Sequence, residues 1–91
     1  TCNMDILELE KVLKALANRR RLAILRYLKK HREASVGEIA DMIHLSFKST
    51  SKHLGILATL DIIQKEQRSL KMFYRLADNH SLLIKSIIKL L

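Results

Sequence analysis

Apolar residues recur at helical spacing from the front of the chain. Ile6, Leu9, Val12, Leu13 and Leu16 fall three or four residues apart, with Asp5, Glu8 and Glu10 gathered near the start. Acids there suit the positive pole of a helix dipole, so the pattern predicts a first helix running from Asp5 to about Ala17. Asn18 has the position and chemistry of a cap for a second helix, in which Leu22, Leu25 and Leu28 point inward with support from Ile24. That helix closes on Lys29, Lys30, His31 and Arg32, which suit its negative pole. Ser35 and Glu38 have the spacing of a capping box, ahead of a short third helix carrying Ile39, Ala40 and Ile43. After a brief turn at His44-Leu45, Ser46 caps a fourth helix with Thr50, Leu54 and Leu57 on one face.

The period then changes from helical to two. Ile62 to Gln67 and Lys71 to Leu76 read as the strands of a hairpin around Arg68-Ser69-Leu70. Met72, Tyr74 and Leu76 share one face of the second strand, while Lys71, Phe73 and Arg75 share the other. A last helix runs from about Ser81 to Leu91. The predicted order is α-α-α-α-β-β-α, a mainly α fold with a β-hairpin. A chain of 91 residues closes a single core, so one domain over residues 1–91 is expected. Thr1 to Asn3 precede the first methionine, Met4, and are set aside.

Two helices joined by a tight turn, the second followed by a basic hairpin, are the parts of a winged helix-turn-helix. The helix-turn-helix spans Val36 to about Leu57. Small Ala40 lets its helices cross closely, and Ile39, Ile43, Leu45 and Leu54 fill the angle between them. Charge sharpens the expectation. Seventeen Lys and Arg against nine Asp and Glu leave a formal charge of +8, which calls for a polyanionic partner, nucleic acid before membrane. Phe47, Lys48, Ser51 and Lys52 lie at i, i+1, i+4 and i+5 near the fourth helix's start, forming one outward stripe. Lys reaches guanine acceptors or phosphates, Ser bonds either, and Phe packs on a thymine methyl. Double-stranded DNA is therefore the expected partner, with Ser46, Phe47, Lys48, Ser49, Ser51, Lys52 and His53 on the reading helix and Gln67, Arg68 and Lys71 on the wing.

Leu13 to Asn18 followed by Arg21-Leu22-Ala23-Ile24-Leu25 resembles the second-helix signature of ArsR/SmtB-type bacterial repressors. Ser46 to Leu54 is similar to their recognition helix, and Met72-Phe73-Tyr74-Arg75-Leu76 to their second wing strand. The resemblance covers nearly the whole chain in order. It implies a dimeric winged-helix repressor that leaves its operator when an effector, here unknown, binds. It also implies backbone contacts for the wing in or beside the minor groove, and a structural ion pair for Arg21. Arg19 and Arg20 are expected to be exposed. The family usually has Gly where His44 and Asp61 stand, and a branched aliphatic residue where Thr50 stands.

The same resemblance bears on sensing. The third-helix cysteines of arsenic, cadmium and lead sensors correspond to Ser35 and Gly37, which offer no thiolate. Asp78-Asn79-His80 matches half of a last-helix zinc site, and the next required position is Leu91. No metal site and no cofactor are expected; His80 reads as a helix-start residue and His31 as a helix-end cap. The alternative is an atypical metal or redox sensor using Asp78, His80 or Cys2, and a further one is a protein-binding winged helix.

The last helix is apolar on most sides, through Leu82, Leu83, Ile84, Ile87, Ile88, Leu90 and Leu91. More than one face must be buried, and the first helix has a broad apolar stripe too. A homodimer is expected through Ile6, Leu9, Leu13, Leu83, Ile84, Ile87, Ile88 and Leu91. One Cys rules out an internal disulfide framework, two Gly residues cannot build a phosphate loop, and no apolar run spans a bilayer. No secretory segment opens the chain, and a cytoplasmic location without membrane contact is expected. Enzyme signatures such as H-E-x-x-H and G-x-S-x-G are missing, so catalysis is not expected.

Overall fold

The computed structural model describes residues 4–91. They form α1 (Ile6–Leu16), α2 (Arg19–His31), β1 (Glu33–Ser35), α3 (Val36–Ile43), α4 (Phe47–Thr59), β2 (Ile63–Arg68), β3 (Lys71–Leu76) and α5 (Leu82–Leu90). Every helix starts at a side chain that accepts a bond from an otherwise unpaired amide. Asp5 Oδ1 takes the Glu8 N–H at 2.7 Å. Asn18 Oδ1 takes those of Arg20 and Arg21 at 3.0 and 3.1 Å. Ser46 and Ser81 serve α4 and α5 through Ser49 and Ile84. The Ser35–Glu38 box is reciprocal, at 3.3 and 2.9 Å. Each cap contributes about 1 kcal/mol, and together they set the helix phases.

Around α2 the other elements assemble. Ile24, Leu25 and Leu28 are fully buried, and α2 touches every other helix as well as β1 and β3. Leu22, expected inward, is only half-buried. The helix-turn-helix packs on this axis through Ile39, Leu54 and Leu57, all fully buried. His44 makes the turn in the left-handed region at φ 56° and ψ 50°, its N–H reaching the Ala40 and Asp41 carbonyls. Asp61 takes φ 59° on leaving α4. Positive φ is therefore kept at both places where Gly is usual, at a cost of about 1 kcal/mol each.

The wing is larger than a hairpin. β1 pairs antiparallel with β3, giving a three-stranded sheet in the order β1-β3-β2. Glu33-Ala34-Ser35 is too short to show a period of two, and Arg32 at φ 61° turns the chain from α2 into it. The hairpin loop is Ser69-Leu70, one residue shorter than expected, because Arg68 joins β2 and pairs with Lys71. Ser69 absorbs that tight turn at φ 58°.

Among the described residues Thr50 is the one polar side chain in the core, fully buried on the inner face of α4, and its hydroxyl has no hydrogen-bond partner. A buried hydroxyl without a partner costs about 1–3 kcal/mol. Thr50→Val keeps the shape and removes that hydroxyl, so urea denaturation should show the variant about 1 kcal/mol more stable than the parent.

Candidate nucleic-acid interface

The first turns of α4 stand clear of the core. Ser46, Phe47, Lys48, Ser49 and Lys52 are exposed, and Ser51 and His53 are half-buried. Phe47 is a large apolar side chain left in solvent at 64% exposure. Neither Lys48 nor Lys52 meets a carboxylate among the described residues. Inner and outer faces of the helix are thus separated: Thr50, Leu54 and Leu57 hold it, and the basic stripe faces away.

His53 sits between these faces, and Arg21 reaches it from α2. Arg21 Nη1 donates to His53 Nδ1 at 3.1 Å, while its Nε donates to the Ala15 carbonyl at 2.6 Å. The ion pair expected for Arg21 is replaced by this clamp, because its nearest partners are a main-chain oxygen and an imidazole lone pair. A guanidinium only donates, so Nδ1 is the acceptor and the ring proton is on Nε2. Burial, then the charges of Arg21, Arg20 and Lys52, hold His53 below its ordinary value of 6.5.

Strand alternation divides the wing candidates. Arg68 and Lys71 share the outer face of the sheet with Glu66, Phe73 and Arg75, and Gln67 pairs with Met72 on the other. Arg68 is committed locally. Its guanidinium gives both carboxylate oxygens of Glu33 a hydrogen bond, at 2.8 and 2.7 Å, and a third goes to Glu66 at 3.1 Å. It also lies 4.8 Å from the Phe73 ring centroid. The Arg68 bonds hold the Glu33 carboxyl below its usual range, and the two carboxylates keep Arg68 firmly protonated. Arg75 extends the ladder to Glu66 and Gln64. Gln67 and Lys71 are exposed, with Gln67 Nε2 donating to the Ser69 carbonyl at 3.5 Å.

The expected wing residues Gln67, Arg68 and Lys71 flank the tip, and Leu70 at the tip itself was not among them. Leu70 is 97% exposed there, and with Phe47, Lys71, Met72 and the start of α3 from Ser35 to Gly37 it lines a cleft of about 350 Å³. A loop Leu carries no periodic signal, so only its exposure reveals it. The clamp on Arg68 was hidden for a similar reason, since its partner Glu33 lies 35 residues away.

The remaining candidates scatter. His80 Nε2 donates to the Ile62 carbonyl at 2.8 Å, which ties the start of α5 to the sheet. His31 stacks on Tyr27 at 4.1 Å and contacts the Tyr27 carbonyl at 3.2 Å. Among the described residues no three His, Cys, Asp or Glu side chains gather as a metal site would require, and Cys2 lies outside those residues. Among the described residues no helix is long and apolar enough to cross a membrane. Of the expected dimer contacts, Ile6 and Leu13 are exposed, and Leu9, Leu83, Ile87, Ile88 and Leu91 are half-buried. Ile84 is only 4% exposed, so the chain's own core consumes it. The exposed apolar surface of α5 is carried instead by Leu82 and Leu90, at 67% and 80%.

Residues 18–65 match the family described as bacterial regulatory protein, arsR family. The chain is 35% identical, over 95 aligned positions, to the transcriptional activator HlyU of Vibrio cholerae, covering 97% of this chain and 84% of that protein. The structure of reduced HlyU from that organism superposes with a TM-score of 0.78 at 34% identity, over 92% of this chain and 84% of the other. The homodimeric winged helix-turn-helix DNA-binding domain Mb0332 from Mycobacterium bovis gives 0.74 at 28% identity, over 91% and 70%. The transcriptional repressor BigR from Xylella fastidiosa gives 0.74 at 27% identity, over 91% and 82%.

The Arg21–His53 bond has a pH signature. The folded imidazole binds its proton less readily than the unfolded one, so the unfolded chain holds more protons below pH 6.5. Stability from this site is complete above that pH and is lost as pH falls through the folded value. His53→Asn keeps an acceptor for Arg21 without a titrating ring, and thermal melts between pH 7.5 and 5, a span of about 2.5 units around the ordinary His value, should show a smaller loss than the parent.

Proposed function

The chain belongs to the arsR family of bacterial regulatory proteins, and we propose that it is a homodimeric repressor that reads an inverted-repeat operator through α4. The observation that carries this reading is the uncompensated stripe of Phe47, Lys48, Ser51 and Lys52, raised on the exposed first turns of a helix. Family membership makes the chain a DNA-binding transcription regulator of winged helix-turn-helix type, and such regulators are not enzymes. Phe47, Lys48, Ser51 and Lys52 enter the major groove, where base edges are readable, with Ser46 and Ser49 beside them. His53 serves the reading helix through Arg21. On the wing, Lys71 and Gln67 take backbone contacts. Arg68 sets the wing's posture instead, because a contact to phosphate would have to break three hydrogen bonds to carboxylates.

Exposed Ile6, Leu7, Leu82 and Leu90 give the two-fold mate its apolar surface, and the homodimeric Mycobacterium bovis domain supports that assembly. Two α4 helices then stand about 34 Å apart, matching half-sites about ten base pairs apart. Repression follows from occupancy of promoter DNA, as the name of the Xylella fastidiosa relative suggests. The Vibrio cholerae relative is called an activator, and transcription in vitro from a bound promoter separates the two outcomes. A standard metal does not control binding. Ser35 is a helix cap, Gly37 has no side chain, and His80 is engaged by a carbonyl.

The experiment is a salt titration with DNA flanking the chain's own gene and a scrambled duplex. Lys71→Ala should weaken both alike and flatten the slope of log affinity against log salt by about one unit. Ser51→Ala or Lys48→Ala should narrow the difference between them by about 1–3 kcal/mol. Equal losses on both duplexes would mean that α4 does not read sequence.

Assembly has its own test. Ile6 and Leu90 contribute little to the folded core at 86% and 80% exposure, so Ile6→Glu with Leu90→Glu leaves the helical circular dichroism intact. Sedimentation should then report monomers; an unchanged dimer mass would move the interface elsewhere.

A further inference from the structure

Between α1 and α4 runs an open groove of about 580 Å³, on the side of the reading helix that faces α1. Four cations stand on its rim: Lys11 and Lys14 from α1, Arg21 from α2 and Lys52 from α4. Among the described residues no carboxylate lines it. Glu10 approaches Lys14 at 3.7 Å, but both are widely exposed and solvent screens the pair. The floor is apolar, built from Ala15, Ile56 and the bare backbone of Gly55. We propose that this groove is an effector site for an amphiphilic organic anion, with its acid group among the Lys and Arg side chains and its apolar body along Gly55 and Ile56.

Gly55 is the second observation. It lies in the interior of α4, where glycine costs about 1 kcal/mol relative to alanine. Nothing demands it there. Its φ is not positive, and a Cβ built on it would meet no atom within 4 Å. Neither backbone geometry nor packing accounts for the residue; what its missing side chain does is keep the groove floor open. The volume falls in the range of about 300–1,000 Å³ that small-molecule sites occupy. The potential agrees with an anion: after burial, the charges of Arg21, Arg20 and Lys52 hold the neighbouring His53 below its ordinary value, and a bound acid group would relieve that part.

The location supplies the coupling. One wall is α1, whose exposed apolar residues serve the proposed dimer, and the other is α4. Arg21 stitches the two together through the Ala15 carbonyl and His53. An occupant would draw Lys52 away from DNA and fix the α1–α4 spacing, so it acts as an inducer. This regulatory half rests on the DNA-binding reading; the binding half does not.

The probe is anilinonaphthalene sulfonate, an aromatic anion that fluoresces in apolar surroundings, with neutral phenylnaphthylamine as its uncharged counterpart. On the full chain without DNA, the anion should bind and shift the amide resonances of Lys14, Gly55 and Ile56. Lys11→Ser with Lys14→Ser should weaken it by about tenfold, the loss expected for charged hydrogen bonds, and leave the neutral probe unaffected. Gly55→Leu puts a side chain over the floor, starting from a Cβ that has open space, and should abolish binding of both. With promoter DNA, saturating anion should lower the parent's affinity by about fivefold or more, and that of Gly55→Leu by less than about twofold. Resonance shifts elsewhere, for example on the exposed residues of α1 and α5, or binding indifferent to these substitutions, would overturn the site. A groove that binds the anion in a chain that binds no DNA would support the site and overturn the function proposed above.

Discussion

The fold depends on one burial, the apolar face of α2. Ile24, Leu25 and Leu28 meet residues from α1, α3, α4, α5 and the sheet, and no other element reaches so many. Each such side chain contributes about 1.5–3 kcal/mol on leaving water, and close packing makes any shift of α2 felt by all its neighbours. The helix that holds the molecule together is nevertheless a basic one. Its termini carry Arg19, Arg20, Lys29 and Lys30 into solvent while one face of its middle, Ile24, Leu25 and Leu28, disappears into the core.

From that axis the proposed reading surface acquires its rigidity. α4 is held from behind by Leu54 and Leu57, and from the side by the Arg21 clamp to His53. The wing is held from the far edge, where Glu33 on β1 grips Arg68 across β3. Two arginines that look alike in a count of positive charge therefore serve as structural ties. Lys48, Lys52 and Lys71 meet no carboxylate among the described residues and remain available for the proposed DNA contact. The +8 charge is a statement about partners only after these commitments are subtracted.

Departures from the family pattern are informative where they carry a cost. His44 and Asp61 hold positive φ without glycine, and Thr50 buries a hydroxyl in a place suited to an aliphatic side chain. The helix-turn-helix tolerates all three because its apolar interior is otherwise complete. Gly55 is the reverse case, a residue replaceable by the fold's own criteria that leaves open space along α4.

The helices were legible in the sequence because their signals are local. A cap lies two or three residues from the amide it serves, and an apolar face repeats within one turn, so Asn18, Ser35 with Glu38, Ser46 and the faces of α2 and α4 could be read directly. So could the outward stripe from Phe47 to Lys52, which follows from helix phase alone. Tertiary structure decided what depends on residues distant in the chain. β1 exists because β3 offers it an edge, and three residues carry no period of their own. Arg21 found an imidazole 32 positions away, Arg68 found Glu33, and Ile84 went to the chain's own core. Periodicity says that a side chain is turned inward or outward. Which partner it meets there, and whether a charge or an apolar surface remains free afterwards, is set by how the helices cross and which strands pair.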